Sequence, residues 1–112
     1  MKKIYSILFF LICVCTTYAQ DVVTQANEAY EQEDFKKAIE LYETALKEQG
    51  KSADLYYNLG NAYYKDNHYA EAILNYERAL LLSPGDEDVR FNLDMAKSHI
   101  TDKIEPVETC LL

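Results

Sequence analysis

The side chains that could take part in catalysis or hold a metal ion are few and widely separated. His68 and His99 lie far apart, and neither has a cysteine or a second histidine at metal-ligand spacing. The acidic runs 31–34 and 86–88 could bind a cation, but their composition favours solvated turns whose carboxylates stabilise the start of the next helix. The sequence has no nucleophile–base motif and no phosphate-binding loop. It therefore predicts a protein that is not an enzyme and that holds no cofactor and no metal.

Composition limits the chain to one domain. Its 112 residues are 49% hydrophobic and 27% charged, with three glycines and two prolines, which excludes collagen-like and low-complexity chains. Ten tyrosines and four phenylalanines supply apolar surface to bury, which argues against intrinsic disorder. The formal net charge of −8 argues against a nucleic-acid partner, because phosphate binding needs clustered lysine and arginine.

Residues 1–19 have the three-part pattern of a secretory signal peptide. Two lysines precede an apolar run over 4–14, and small residues occupy the −3 and −1 positions of a cut after Ala19. The apolar run is shorter than the roughly 20 residues that a membrane-spanning helix needs. A lipoprotein anchor is the third alternative, but the residues before Cys13 and Cys15 are large. We therefore expect an exported protein.

Cleavage at this site would change the charge and the cysteine count. Two lysines leave, so the formal charge moves from −8 to −10. Two of the three cysteines leave as well, and Cys110 then stands alone. An exported chain with one cysteine has no disulfide within it. We therefore expect the fold to be held together by packing.

An internal repeat organises the rest of the chain. When the segment 53–86 is written beneath the segment 19–52, Ala72 falls on Ala38 and Tyr76 falls on Tyr42 without a gap. Each unit has two stretches whose small and apolar residues recur at the spacing of one helical face, separated by a short polar turn. The repeat therefore predicts an all-α fold of helix pairs.

The expected boundaries follow from this repeat. The two units cover about 20–52 and 53–86, a capping helix follows over 87–103, and 104–112 form a flexible tail. The capping helix has one apolar stripe that can pack on the preceding repeat, formed by Val89, Leu93, Ala96 and Ile100. Its opposite face is polar, as the end of a repeat array requires.

The second unit resembles the tetratricopeptide repeat (TPR) family. Its eight signature positions hold the residue typical of that family or a close aromatic substitute: Tyr56, Leu59, Gly60, Tyr63, Ala72, Tyr76, Ala79 and Pro84. The first unit matches in its second helix, but it departs from the pattern in its first helix and ends in Gly50 rather than proline. The resemblance implies a helix-turn-helix solenoid of two repeats plus a capping helix, covering residues 20–103.

The resemblance also implies a binding groove, because TPR arrays hold peptides or partner proteins along the first helices of their repeats. The groove positions carried over from the family are Asn27, Tyr30, Tyr57, Asn58, Asn61, Tyr64, Lys65, Phe91 and Met95, with Glu31 and Asn92 beside them. Amide groups can hydrogen-bond a peptide backbone of any sequence, and tyrosine and methionine add apolar contacts. Tyr57 and Tyr64 could equally pack between helices. Packing is the favoured role of three signature tyrosines: Tyr56, Tyr63 and Tyr76.

One TPR subtype does not fit these positions. Domains that bind the C-terminal carboxylate of chaperones need basic residues where this chain has Val23, Asp88 and Asn92. Without those charges a carboxylate has no charge-assisted partner. The acidic composition instead favours neutral or basic peptides.

A second resemblance concerns the end of the repeats. Residues 90–97 and 102–106 are similar to the end of the TPR region in aerotolerance (Bat-type) TPR proteins. Those are exported or inner-membrane proteins of Gram-negative bacteria, so the resemblance implies a periplasmic or envelope-associated protein. We expect a non-catalytic module that binds a peptide or partner protein, including envelope proteins.

One alternative is self-association, with another copy completing the first helix near Val22 and Val23. Another is a truncated fragment of a larger membrane-anchored TPR protein.

Overall fold

The computed structural model describes residues 21–103 of the chain. This part forms five helices: α1 (Val22–Glu31), α2 (Phe35–Gln49), α3 (Ala53–Lys65), α4 (Tyr69–Leu82) and α5 (Glu87–Lys103). Each helix packs against the next one in the chain, and α3 also contacts α5. Residues 21–103 are therefore an all-α solenoid, which confirms the predicted fold class. No helix within this range is long and apolar enough to cross a membrane. The expected signal peptide, the expected tail and Cys110 lie outside the described residues.

The turn inside each helix pair has the same conformation in both repeats. Glu33 and Asn67, which occupy equivalent positions in the two repeats, have positive φ angles of 62° and 64°. The residue after each of them donates its backbone N–H to the carbonyl five residues earlier, at 2.9 Å in both turns. A left-handed residue with such a hydrogen bond is a common way to end a helix and reverse the chain. This turn brings the second helix of each repeat back against the first.

The acidic runs cap the helices that follow them. The Asp34 carboxylate accepts a hydrogen bond from the backbone N–H of Lys37 at 3.3 Å. The Asp86 carboxylate accepts from the backbone N–H groups of Asp88 and Val89, at 3.0 and 3.3 Å. Such caps satisfy N–H groups that have no partner within the helix. The predicted role of these runs as helix starts is confirmed.

The helices touch where their side chains are small. Fully inaccessible alanines lie at every helix contact: Ala26, Ala38, Ala45, Ala62, Ala72, Ala79 and Ala96. A close approach joins α3 and α4, where a Cβ added to Gly60 would lie 2.7 Å from two ring atoms of Tyr76. On α5, Val89 and Leu93 are buried together with Ala96, as the apolar stripe predicts. This packing sets the spacing of α1, α3 and α5, which carry the candidate site.

Candidate partner-binding groove

Two of the cavities along the first helices of the repeats adjoin each other. The larger, here the α5 cavity, has a volume of about 320 Å³ and is lined by Tyr30, Asn61, Tyr64, Lys65, Tyr76, Phe91, Asn92 and Met95. The smaller, here the α1 cavity, has a volume of about 210 Å³ and is lined by Asn27, Tyr30, Glu31, Tyr42, Asn58 and Asn61. Tyr30 and Asn61 line both cavities, so the two form one continuous depression, which we call the groove.

The groove brings together eight of the nine residues that the family resemblance implied. The α1 cavity contains Asn27 and Asn58, the α5 cavity contains Tyr64, Lys65, Phe91 and Met95, and Tyr30 and Asn61 are shared. Tyr57 lines neither cavity. Its ring lies 6.1 Å from the ring of Tyr76, and it is partly buried against the core residues of α4 and α5. Of the two roles left open for Tyr57, the geometry favours packing.

A tyrosine–asparagine hydrogen bond recurs once per repeat. The Tyr42 hydroxyl donates to the side-chain oxygen of Asn27, and the Tyr76 hydroxyl donates to that of Asn61 at 2.5 Å. The two pairs occupy equivalent positions in the two repeats. Each hydroxyl donates from the second helix of the repeat to the amide oxygen on the first helix, and this bond orients the amide. The N–H groups of Asn61 take no part in its bond with Tyr76. Each repeat therefore presents a positioned amide in the groove.

Burial keeps both tyrosine hydroxyls protonated. It raises the pKa of the Tyr42 hydroxyl to about 12. It also raises the pKa of the Tyr76 hydroxyl well above its ordinary value. A protonated hydroxyl is the state that can donate to an amide oxygen. The two hydrogen bonds therefore persist throughout the neutral and mildly alkaline range.

Asn92 connects the capping helix to the second repeat. Its side-chain amide donates to the oxygen of Asn61 at 3.0 Å and to the hydroxyl of Tyr57 at 3.1 Å. The oxygen of Asn61 thus accepts two hydrogen bonds, one from α4 and one from α5. This network fixes the floor of the α5 cavity, because the Asn61 oxygen accepts a hydrogen bond from each of two helices and the amide would lose both if it rotated.

Tyr64 is held at the edge of the groove by a cluster of rings. Its hydroxyl lies 2.9 Å from Nε2 of His99, whose ring stacks on Tyr69 with centroids 4.1 Å apart and planes 1° from parallel. Tyr64 itself meets both rings edge to face. It therefore has both of the roles left open for it, because it packs between helices and also lines the α5 cavity.

A model of the tetratricopeptide repeat family matches residues 23–87 of the chain. The chain belongs to the tetratricopeptide repeat family. Among curated proteins, the Protein SGT1 homolog of rice (Oryza sativa subsp. japonica) is 32% identical over 71 residues. The aligned region is 63% of this chain but 19% of the rice protein, so the chain matches about a fifth of that relative's length. The TPR fold is a non-catalytic protein-interaction fold, and this chain is accordingly a protein-interaction module.

The TPR groove of this chain is mostly uncharged. Glu31 and Lys65 are the charged side chains among its lining residues; the others are amides, hydroxyls and apolar groups. Phe91 is 65% exposed and Met95 is 44% exposed, and both lie on the wall formed by α5. Such a lining can hydrogen-bond a peptide backbone and cover an apolar side chain.

Two core tyrosines also line the TPR groove, and for one of them, Tyr76, packing was the expected role. Tyr42 and Tyr76 are 2% and 1% exposed, but their hydroxyl ends reach the cavity floors. The signature position of Tyr76 indicates packing, and its ring is buried as expected; the ring of Tyr42 is buried at the equivalent position of the first repeat. The signal for their second role is the recurrence of asparagine at the same distance before each tyrosine, which puts donor and acceptor across the same helix pair in both repeats.

Proposed function

We propose that the groove binds an extended, largely uncharged segment of a partner protein. The observation that carries this proposal is the recurrent tyrosine–asparagine bond, which holds Asn27 and Asn61 in fixed orientations along one continuous depression. Amides held in place before binding lose little side-chain entropy when they meet a peptide backbone. The groove is therefore suited to recognise backbone along its length.

The α5 cavity adds a place for an apolar side chain. Phe91 and Met95 are adjacent on the helix at i, i+4 spacing and remain exposed in the described part of the chain. Methionine adapts to differently shaped apolar partners, and phenylalanine supplies a large contact area. Lys65 lies at the same cavity and Glu31 at the other. This arrangement favours a segment with one large apolar residue opposite α5.

The finer proposal places this module in a bacterial envelope complex of the aerotolerance type. It rests on the signal-peptide pattern of residues 1–19 and on the resemblance of residues 90–97 to aerotolerance TPR proteins. In that role the module is an exported adaptor without chemistry of its own. Fractionation of cells expressing the full chain tests the location: recovery in the periplasmic or membrane fraction supports it, and recovery in the cytoplasm contradicts it.

Affinity capture from envelope fractions tests the groove. The bait is the full chain, compared with Phe91→Ala/Met95→Ala and with Asp94→Ala as the matched control on the exposed polar side of the same helix. Because truncation of a central contact typically costs about tenfold or more in affinity, partners that use the groove should be lost from the double variant. The control should retain them. Equal recovery by all three baits would contradict the proposal.

A further inference from the structure

Helix α4 carries three exposed leucines that belong neither to the core nor to the groove. Leu74 is 46% exposed, Leu81 is 81% exposed and Leu82 is 50% exposed. None of them lines either groove cavity. We call these three residues the leucine patch. A single exposed leucine is ordinary on a protein surface, but a group on one helix face marks an interaction site.

The first repeat shows that the fold does not need these leucines. The equivalent positions on α2 hold Glu40, Lys47 and Glu48, all exposed. Helix α2 nevertheless pairs with α1 through the same small and aromatic contacts by which α4 pairs with α3. The leucine patch is therefore a feature added to one repeat, at positions where the fold accepts charge.

One acidic and one basic side chain flank the leucine patch, so two copies of the patch can face each other with opposite charges in contact. Leu74 and Leu81 are seven residues apart, close to two helical turns, so they lie on one line along the helix. Glu77 and Arg78 fall between them, on opposite sides of that line. Arg78 lies beside the ring of Tyr56, with its guanidinium carbon 5.9 Å from the ring centroid, and remains exposed.

We propose that a second copy of this chain covers the leucine patch, with the two α4 helices parallel and related by a two-fold axis between them. In that arrangement, opposite sides of the two helices meet, so Glu77 of each copy faces the partner's Arg78. Leu74 and Leu81 then meet the same residues of the partner. An antiparallel pair would bring Glu77 against the partner's Glu77 and Arg78 against the partner's Arg78. The charges therefore favour the parallel pair.

This contact differs from self-association through the first helix. Val22 and Val23 are half-buried against the core of their own chain, whereas the residues that the structure describes leave the leucine patch exposed. The contact also leaves the groove open, so it does not depend on the proposed function. A single pair of helices covers less than the roughly 1,200 Å² of a typical stable interface. We therefore expect a weak dimer, with a dissociation constant on the order of micromolar or higher.

Sedimentation of the chain as isolated from cells, with its first residue determined by mass spectrometry, tests the contact. The wild type should show concentration-dependent association. The leucine variant gives α4 the residues that α2 carries at the same positions: Leu74→Glu/Leu81→Lys/Leu82→Glu. This variant should be a monomer at every concentration. The control Glu40→Lys/Lys47→Glu alters the equivalent face of α2 and should associate like the wild type. Circular dichroism confirms that all three fold. A monomeric wild type, or association unchanged in the leucine variant, overturns the proposal.

Charge substitutions and cysteine cross-linking test the orientation. Glu77→Arg and Arg78→Glu should each weaken association by about tenfold, since each replaces two opposite-charge contacts with like-charge ones. The double variant should restore it. In a background with all three cysteines changed to serine, Leu74→Cys alone should form a disulfide-linked dimer under mild oxidation. Cross-linking only when Leu74→Cys chains are mixed with Leu81→Cys chains would show an antiparallel pair and overturn the proposed arrangement.

Discussion

The close contact between α3 and α4 makes a specific prediction about Gly60. A methyl group at this position would lie 2.7 Å from Cδ1 and Cε1 of Tyr76, well inside van der Waals contact. Tyr76 is 1% exposed and is held by its hydroxyl bond to Asn61. Its ring therefore has little freedom to move. We expect Gly60→Ala to destabilise the fold even though alanine is the better helix former.

The expected size of the effect is the difference between two opposing terms. Alanine stabilises a helix interior by about 1 kcal/mol relative to glycine. Overpacking a well-packed core typically costs about 1–3 kcal/mol. In the first repeat, Ala26 occupies the equivalent position opposite Tyr42, so a modest change in helix spacing can relieve part of the clash. We therefore expect a net loss of about 1 kcal/mol, or about 4–8 °C in melting temperature for a domain of this size.

Thermal and urea unfolding followed by circular dichroism measure this loss. Ala26→Gly is the matched control at the equivalent position of the first repeat. It should cost at least about 1 kcal/mol, because it loses helix propensity and also a buried methyl group, whereas it introduces no clash. A Gly60→Ala variant that is more stable than the wild type by about the propensity difference would refute the reasoning, because it would mean that the Tyr76 ring does not limit the space at Gly60.

Three further predictions concern buried polar groups. Tyr42→Phe and Tyr76→Phe should each lower the free energy of unfolding by about 1 kcal/mol, because each leaves an asparagine oxygen with one hydrogen bond fewer; urea unfolding measures the loss. Burial raises the pKa of Tyr42 and Tyr63 to about 12, above the roughly 10 of unfolded tyrosine. Stability should therefore be intact below pH 10 and fall as the pH rises towards 12, as melting temperatures across that range would record. Asn75 is 3% exposed, and its side-chain oxygen has no hydrogen-bond partner among residues 21–103. Asn75→Leu, which introduces the residue found at the equivalent Leu41, should stabilise the fold by about 1 kcal/mol, measured in the same urea series.

Each of these predictions has an outcome that would contradict it. Full stability of both phenylalanine variants would mean that the hydroxyl bonds contribute nothing to the fold. A melting temperature that stays level between pH 10 and pH 11.5 would mean that the tyrosines titrate alike in the folded and unfolded chain. A destabilised Asn75→Leu variant would mean that the asparagine oxygen has a partner in solution.

The sequence predicted the fold because the internal repeat and the helix chemistry agree. Small residues such as Ala38 and Ala72 mark the helix contacts, and Asp34 and Asp86 mark the helix starts. Both signals are local, and neither depends on distant packing. The repeat adds a second copy of each signal, which strengthens the assignment of helix pairs. The helix order and the buried face of α5 followed from these signals.

The details of the groove depended on packing that a linear pattern does not contain. Tyr57 was assigned to the groove from its position on the first helix, but its hydroxyl accepts from Asn92, and the ring packs against Tyr76. Asn92 is distant from Tyr57 in the chain and lies on another helix. The stacking of His99 on Tyr69 likewise depends on the position in which α5 packs against the second repeat. Contacts of this kind arise from the relative position of helices, which single positions in a repeat do not fix.

Site-specific photo-cross-linking tests the central claim, that the groove holds a partner protein. A photoreactive residue replaces Asn58 in the α1 cavity or Lys65 in the α5 cavity of the full chain, and Glu48 on the exposed face of α2 serves as the control. Irradiation in intact cells followed by mass spectrometry identifies what each position touches. If the groove holds a partner protein, both groove positions should form adducts with one short segment of the same partner, and position 48 should form none with that segment. Adducts that form equally from position 48, or none from the groove positions, would contradict this claim.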